Sequence, residues 1–232
     1  MSKPVAVVVG AGPGLGAALA RRFAEAGMAL AVARRNADRL DALATEIGGK
    51  AYACDATSRT GVDALFRGVT YDLGAPALVV YNAGTFQPGG ILEIDPREFE
   101  RGLRISCLGG LLVGRAAARL MVPAGRGTII FTGATASLRG SAGFASLAVP
   151  KFGLRALAQS MARELGPKGV HVAHVVIDGQ IASDRPGYRP EERGADAVLS
   201  PAAIAEAYYQ LHLQPRSAWT QELDLRPWVE RF

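Results

Sequence analysis

The first group of residues suited to chemistry is Gly10-Ala11-Gly12-Pro13-Gly14-Leu15-Gly16, which follows a short apolar run. Glycines allow a tight turn and let the backbone approach a bound group closely. If a helix opens at the end of this turn, its free N–H groups and partial positive charge face a phosphate. A strand, a glycine turn and a helix in that order form the phosphate site of a nicotinamide dinucleotide. Such a site usually has an acid at the end of the second strand, hydrogen-bonded to the ribose 2′-hydroxyl. Here that place reads Ala33-Arg34-Arg35. Two guanidinium groups suit a 2′-phosphate, so NADP is expected over NAD. Solvated charges at a helix start are the alternative. Asp55 suits either the adenine amino group or a helix cap.

Other residues that could do chemistry are sparse. The lysines are Lys3, Lys50, Lys151 and Lys168, so lysine is a rare choice among 26 basic residues. Cys54 and Cys107 lie in apolar stretches without CxxC spacing and read as buried reduced thiols. His171, His174 and His212 form no metal motif. His171 and His174 differ in strand parity and should point to opposite faces, so no metal is expected.

The elements that must position these groups alternate along the chain. Strands are expected over Val5–Val9, 28–33, 51–54, 77–81, 128–132, 170–177 and 222–225. Helices are expected over 14–26, 36–47, from 58 to just before 74, 95–121, 144–165 and from 200 onward. Asp95-Pro96 gives a cap and a proline at the first helical position. Pro150 must sit in the early turns of its helix or kink it. Repeated βα units imply a single-domain, Rossmann-like, doubly wound α/β fold over 1–232. It should have a parallel sheet of about seven strands with helices on both faces. A substrate-side loop is expected near 178–200. The motifs fall just after strands, where such sheets bind ligands.

Composition narrows the function classes. The chain is 49% hydrophobic and 20% charged, which is a folded composition. Its net charge of +5 is spread over the chain without a basic, aromatic-interleaved run, so no nucleic-acid partner is expected. No apolar run of membrane-spanning length and no cleavable leader are read, so no membrane partner and a cytoplasmic location are expected.

The chain resembles the short-chain dehydrogenase/reductase family. The turn matches that family's spacing at Gly10, Gly14 and Gly16. Asn82-Ala83-Gly84 matches its Asn-Ala-Gly motif, which supports the sheet beside the cofactor, and Asp55 matches its adenine-contacting acid. The resemblance implies four catalytic groups. A tyrosine exchanges a proton with the substrate oxygen. A lysine four residues later lowers that tyrosine's pKa and binds the nicotinamide ribose. A serine thirteen residues before the tyrosine holds the substrate oxygen, and an asparagine on the preceding helix positions a water.

Lys151 matches the lysine, but Leu147, Ala134 and Ser106 occupy the tyrosine, serine and asparagine places. After the sixth strand the family's Pro-Gly and following threonine become Asp178-Gly179 and Ser183, with Gln180, Ile181 and Ala182 between. Gly179, Ile181 and Ser183 are the expected nicotinamide-side residues, and Lys151 and Ser106 the expected catalytic ones. Ser106, Thr135, Ser146, Tyr188 and Lys151 itself are candidate replacement proton donors.

The expected function is an NADP-binding oxidoreductase with a degenerate tetrad and an unknown small-molecule substrate. A substrate needing no proton at oxygen, an activated alkene or an iminium, fits such a site better than a ketone. The alternative is a non-catalytic NADP(H)-binding regulatory or scaffold protein. Cofactor-free lyase or dehalogenase chemistry is weaker, because the glycine turn is intact. The helix over 95–121 carries Gly102, Gly109, Gly110 and Gly114, which implies close packing. In the family this helix and the lysine-bearing helix form a dimer bundle, so a homodimer or homotetramer is expected. Packing onto its own sheet is the alternative.

Overall fold

A computed structural model gives the structure of the chain, described over residues 3–194 and 196–230. Strand β1 (Val5–Val9) leads through the glycine turn into α1 (Leu15–Glu25) and β2 (Ala29–Arg34). A 3-10 turn (Ala37–Leu40) and α2 (Asp41–Glu46) precede β3 (Lys50–Ala53), α3 (Arg59–Asp72) and β4 (Pro76–Tyr81). The expected single helix over 36–47 is therefore two pieces. Asn36 does cap the first, accepting from the Asp38 amide at 3.1 Å.

The seven strands form one sheet in the order β3-β2-β1-β4-β5-β6-β7, with every pairing parallel. Here β5 is Gly127–Thr132, β6 is Val170–Ile177 and β7 is Glu222–Leu225. The order reverses at β1 and β4, which opens a crevice at their carboxyl ends. All five β1 residues and all eight β6 residues are buried. Burial on both faces explains why these strands read as continuous apolar runs. Val5, Val7 and Val9 pack with α3, α5 (Gly109–Ala124) and α6 (Ala145–Leu165). Ala6 and Val8 face α1 and α8 (Pro201–Leu213) through Leu19, Phe23, Ile204 and Tyr208.

The helix expected over 95–121 runs further and changes pitch. It comprises α4 (Pro96–Leu103), a π turn (Arg104–Leu108) and α5. Asp95 Oδ1 caps it by accepting from the Arg97 amide at 2.9 Å. The Tyr81 hydroxyl donates to the Ile105 carbonyl inside the π turn. By length and composition alone this run is long and apolar enough to cross a membrane, with a mean hydropathy of 1.5 over its most apolar 18 residues. Half of it is buried in the fold, as befits a core helix. Its glycines explain the close approach. A Cβ on Gly110 would collide with Leu154, and one on Gly114 would lie 2.9 Å from Phe131 and Met161. The glycine-rich face thus packs within its own chain, and the glycines give no support to a contact between chains.

Pro150 lies in the second turn of α6 and cannot donate to the Ser146 carbonyl. That oxygen faces Gly102 instead, where a Cβ would stand 3.2 Å away. The described residues among 178–199 form a loop pinned by a parallel bridge between Ile181 and Leu199, with a single helical turn, α7 (Pro190–Arg193).

Candidate functional site

The glycine turn sits in the crevice between β1 and β4. Gly10 has φ +92°, and a Cβ there would lie 2.5 Å from the Ala83 amide nitrogen. Only glycine fits that conformation and that approach. A Cβ on Gly16 would lie 2.8 Å from the Gly10 carbonyl. Asn82 Nδ2 donates to the same carbonyl at 3.2 Å, so β4 holds the turn in shape. No side chain caps α1, which leaves its first turn open to an anion. Gly10→Ala should therefore cost about 2 kcal/mol or more of stability in urea unfolding and weaken dinucleotide binding. Wild-type stability and binding in that variant would contradict this account of the turn.

A cleft of about 580 Å³ extends from the turn across the ends of β2 and β3. Arg34, Arg35, Arg39 and Arg101 line it, with Asp55 as the one carboxylate among the lining residues. Asp55 Oδ1 accepts from the Thr57 amide and hydroxyl, both at 2.9 Å. The Thr57 amide above all, with smaller help from Arg35 and Arg104, holds this carboxyl below its usual range. Asp55 thus stabilises its own turn and also faces the cleft. Ser58, not Asp55, caps α3, by accepting from the Gly61 amide at 3.1 Å.

Lys151 is buried beneath the next part of the crevice. Its Nζ donates to the Thr132 carbonyl at 2.7 Å, and a Cβ on Gly84 would lie 3.7 Å from it. Burial lowers the amine to about 8. Ser106 lies in the π turn, 1% exposed, with its Oγ unpartnered. Behind Gly133, His174 Nδ1 contacts Glu222 at 3.0 Å, and Glu222 takes both hydrogen bonds of Arg155 at 2.7 Å. His171 instead stacks on Trp219. The two strand histidines serve different surroundings, and no metal-binding group occurs among the described residues.

A second cleft has a volume of about 1350 Å³. Ala134 and Leu147 line it together with the Phe86–Phe144 stack, whose centroids are 5.0 Å apart. Gly179, Ile181 and Ser183 form part of its wall, and the loop places Tyr188 there too. A narrow recess lined by Gly10, Gly12, Gly16, Asn82, Ala134 and Gly179 joins the glycine turn to this cleft. Gly14 and Leu15 border the larger cleft, while Ala83 and Gly84 border the arginine-lined one. The structure therefore brings nearly all the expected residues to one continuous crevice. Lys151 and Ser106 are the exceptions, set behind its walls.

Of the candidate donors, Ser146 gives its proton to the Gln87 carbonyl, while Thr135 gives its own to Asp178 at 2.6 Å. Sequence reasoning missed Arg39, Arg101 and the Thr135–Asp178 pair. Arg39 follows Arg35 by one turn, a spacing that could have flagged it. Arg101 carries no local signal, and Asp178 shows in the sequence only as a departure from the family's proline.

Comparison with known proteins places these features in context. The family profile described as short chain dehydrogenase matches residues 4–188. The chain is 30% identical over 182 residues to the 3-oxoacyl-[acyl-carrier-protein] reductase of Bos taurus, covering 78% of this chain and 76% of that protein. It is 42% identical to a short-chain dehydrogenase of Rhodopseudomonas palustris, with a TM-score of 0.84 over 97% of this chain and 99% of that one. A metagenomic short-chain oxidoreductase solved in complex with NADP is 29% identical, with a TM-score of 0.85 over 99% of each chain.

Proposed function

The chain belongs to the short-chain dehydrogenase family, and on that premise we propose that it is an NADP-dependent oxidoreductase whose usual proton-transfer groups have been replaced. One observation carries the cofactor choice: Arg34, Arg35, Arg39 and Arg101 line the cleft past the end of β2, with Asp55 as its one carboxylate. Gly10, Gly12, Gly14, Leu15 and Gly16 hold the pyrophosphate, and Arg34 and Arg35 pair with the 2′-phosphate. Asp55 serves the adenine, while Asn82, Ala83 and Gly84 form the wall beside it. Lys151 binds the nicotinamide ribose, and Gly179, Ile181 and Ser183 close over the nicotinamide. The bound cofactor supplies hydride exchange with a substrate carbon. Leu147 and Ala134 take the places of the proton donor and the oxygen holder, and Ser106 the place of the relay asparagine.

Titrating NADPH and NADH by fluorescence tests this. NADPH should bind at least tenfold more tightly. Arg34→Ala should cost NADPH about tenfold or more, as expected for a lost charge-assisted hydrogen bond, and leave NADH unchanged. Equal affinities untouched by Arg34→Ala would overturn it.

We further infer one domain over 1–232 and a homodimer or homotetramer joined through α5 and α6. Leu111, Val149 and Phe152 on those helices are 41%, 48% and 42% exposed. A cytoplasmic location agrees with the two free thiols. Sedimentation should show a dimer or tetramer at micromolar concentration; a monomer there would remove the oligomer.

A further inference from the structure

We propose that Thr135, backed by Asp178, receives the substrate's hydroxyl group and carries its proton, a role that rests on the oxidoreductase function proposed above. Thr135 directly follows Ala134 and lines the substrate cleft beside Leu147. Its Oγ1 donates to Asp178 Oδ1 at 2.6 Å. Asp178 directly follows β6, where the family has proline, and is only 3% exposed. Its position is fixed from several sides. The Asp178 amide donates to the Leu225 carbonyl at 2.8 Å. Arg226 lies 3.4 Å from Oδ2 and itself pairs with Asp224, and Arg139 lies 3.9 Å from Oδ1. Glu230 lines the same cleft, and its Oε2 would lie 3.5 Å from a Cβ on Gly179.

The hydroxyl's direction decides what it can bind. A threonine has one proton and two lone pairs. Here the proton is committed to the carboxylate, so Thr135 offers the cleft only an acceptor. That suits an alcohol O–H and does not suit a developing oxyanion. The other candidates lack this arrangement. Ser146 is tied to the Gln87 carbonyl, Ser106 is buried in the π turn, and Lys151 gives one proton to the Thr132 carbonyl and is assigned above to the nicotinamide ribose. Ser183 and Tyr188 line the same cleft without a buried carboxylate behind them in the described contacts.

In the oxidation direction the substrate O–H bond breaks and its proton bonds to Thr135 Oγ1. The proton of Thr135 passes to Asp178 Oδ1. The carbinol C–H pair leaves as hydride for the oxidised nicotinamide, the co-reactant. Asp178 then releases its proton to solvent on the side of Arg139, which is 46% exposed. Phe86, Phe144 and Leu147 line the same cleft, together with charged residues such as Arg139 and Arg185, and their apolar side chains suit a secondary alcohol bearing an aryl or other apolar group.

The probe is 1-phenylethanol. Its binding to the enzyme–NADPH complex, a pair that cannot react, is followed by NADPH fluorescence. Thr135→Val should weaken it about fivefold, as for one lost hydrogen bond, and Thr135→Ser should restore it. NADPH affinity should be the same in the wild type and both variants. With NADP⁺, oxidation should fall about 10²-fold or more in Thr135→Val. Asp178→Asn should lower oxidation as well, because the carboxylate that takes the Thr135 proton is gone. Wild-type binding and oxidation of 1-phenylethanol by Thr135→Val would overturn the assignment. So would an enzyme–NADPH complex that fails to bind the alcohol. Failure of the wild type to bind NADPH at all would instead overturn the cofactor assignment, and this inference with it.

Discussion

A Leu147→Tyr, Ala134→Ser double variant should reduce acetophenone with NADPH about 10²–10⁴-fold faster than the wild-type chain, the usual worth of a positioned acid. Residue 147 lies one helical turn before Lys151 on α6, so the two side chains share a face. A phenol there would sit above an amine that burial holds at about 8. Leu147 is half-buried and borders the large cleft, so a ring can be accommodated. Ala134 borders the same cleft and the recess leading to the glycine turn, where a serine hydroxyl would support the developing oxygen charge. Comparing kcat/KM for the wild type, both single variants and the double variant separates the proton donor from the oxygen holder. NADPH affinity should not change among them. A double variant with intact NADPH binding and no gain in ketone reduction would contradict the account of what this site lacks.

The second large effect concerns Lys151 itself. Its amine is lowered from 10.5 in the unfolded chain to about 8 in the fold by burial alone. Below pH 8 the amine is protonated in both states, and the buried ammonium destabilises the fold. Between about 8 and 10.5 the folded chain has lost a proton that the unfolded chain still holds, so wild-type stability rises with pH. Above 10.5 the penalty has gone. Relative to Lys151→Met, the wild type should therefore gain about 3 kcal/mol between pH 7 and pH 11. The offset between the two proteins also includes the Thr132 carbonyl left without its donor, so the slope is the informative quantity. Urea unfolding at the two pH values measures it. The same variant should lose NADPH affinity and any turnover. A stability difference independent of pH would show that the amine is not buried as described.

Much of this was legible from local signals. The run Val5–Val9 and the glycine turn announced the first βα unit, because burial on both faces and a positive φ leave marks in the residues themselves. Asp95-Pro96 announced α4 for the same kind of reason. Arg34 and Arg35 stood out because an acid is expected there. What was not legible depends on contacts across the fold. The π turn at Arg104–Leu108 is shaped by the Tyr81 hydroxyl, from a strand more than twenty residues earlier. The glycines of α5 pointed to close packing, but only the fold shows that Leu154, Phe131 and Met161 are the partners. Arg101, on α4, lines the same cleft as the arginines after β2, and Thr135 meets Asp178 because β5 and β6 end side by side. In each case the residue type was visible in the sequence, and its neighbour was supplied by the topology.

The central claim is that one NADP molecule lies along this crevice, held by the arginines at one end and Lys151 at the other. A crystal structure of the NADP complex tests it most directly. The 2′-phosphate should lie between Arg34 and Arg35, Lys151 Nζ should bond the nicotinamide ribose, and the nicotinamide should face Ala134, Leu147 and Thr135. An adenosine phosphate away from both arginines, or a nicotinamide ring outside the substrate cleft, would contradict it.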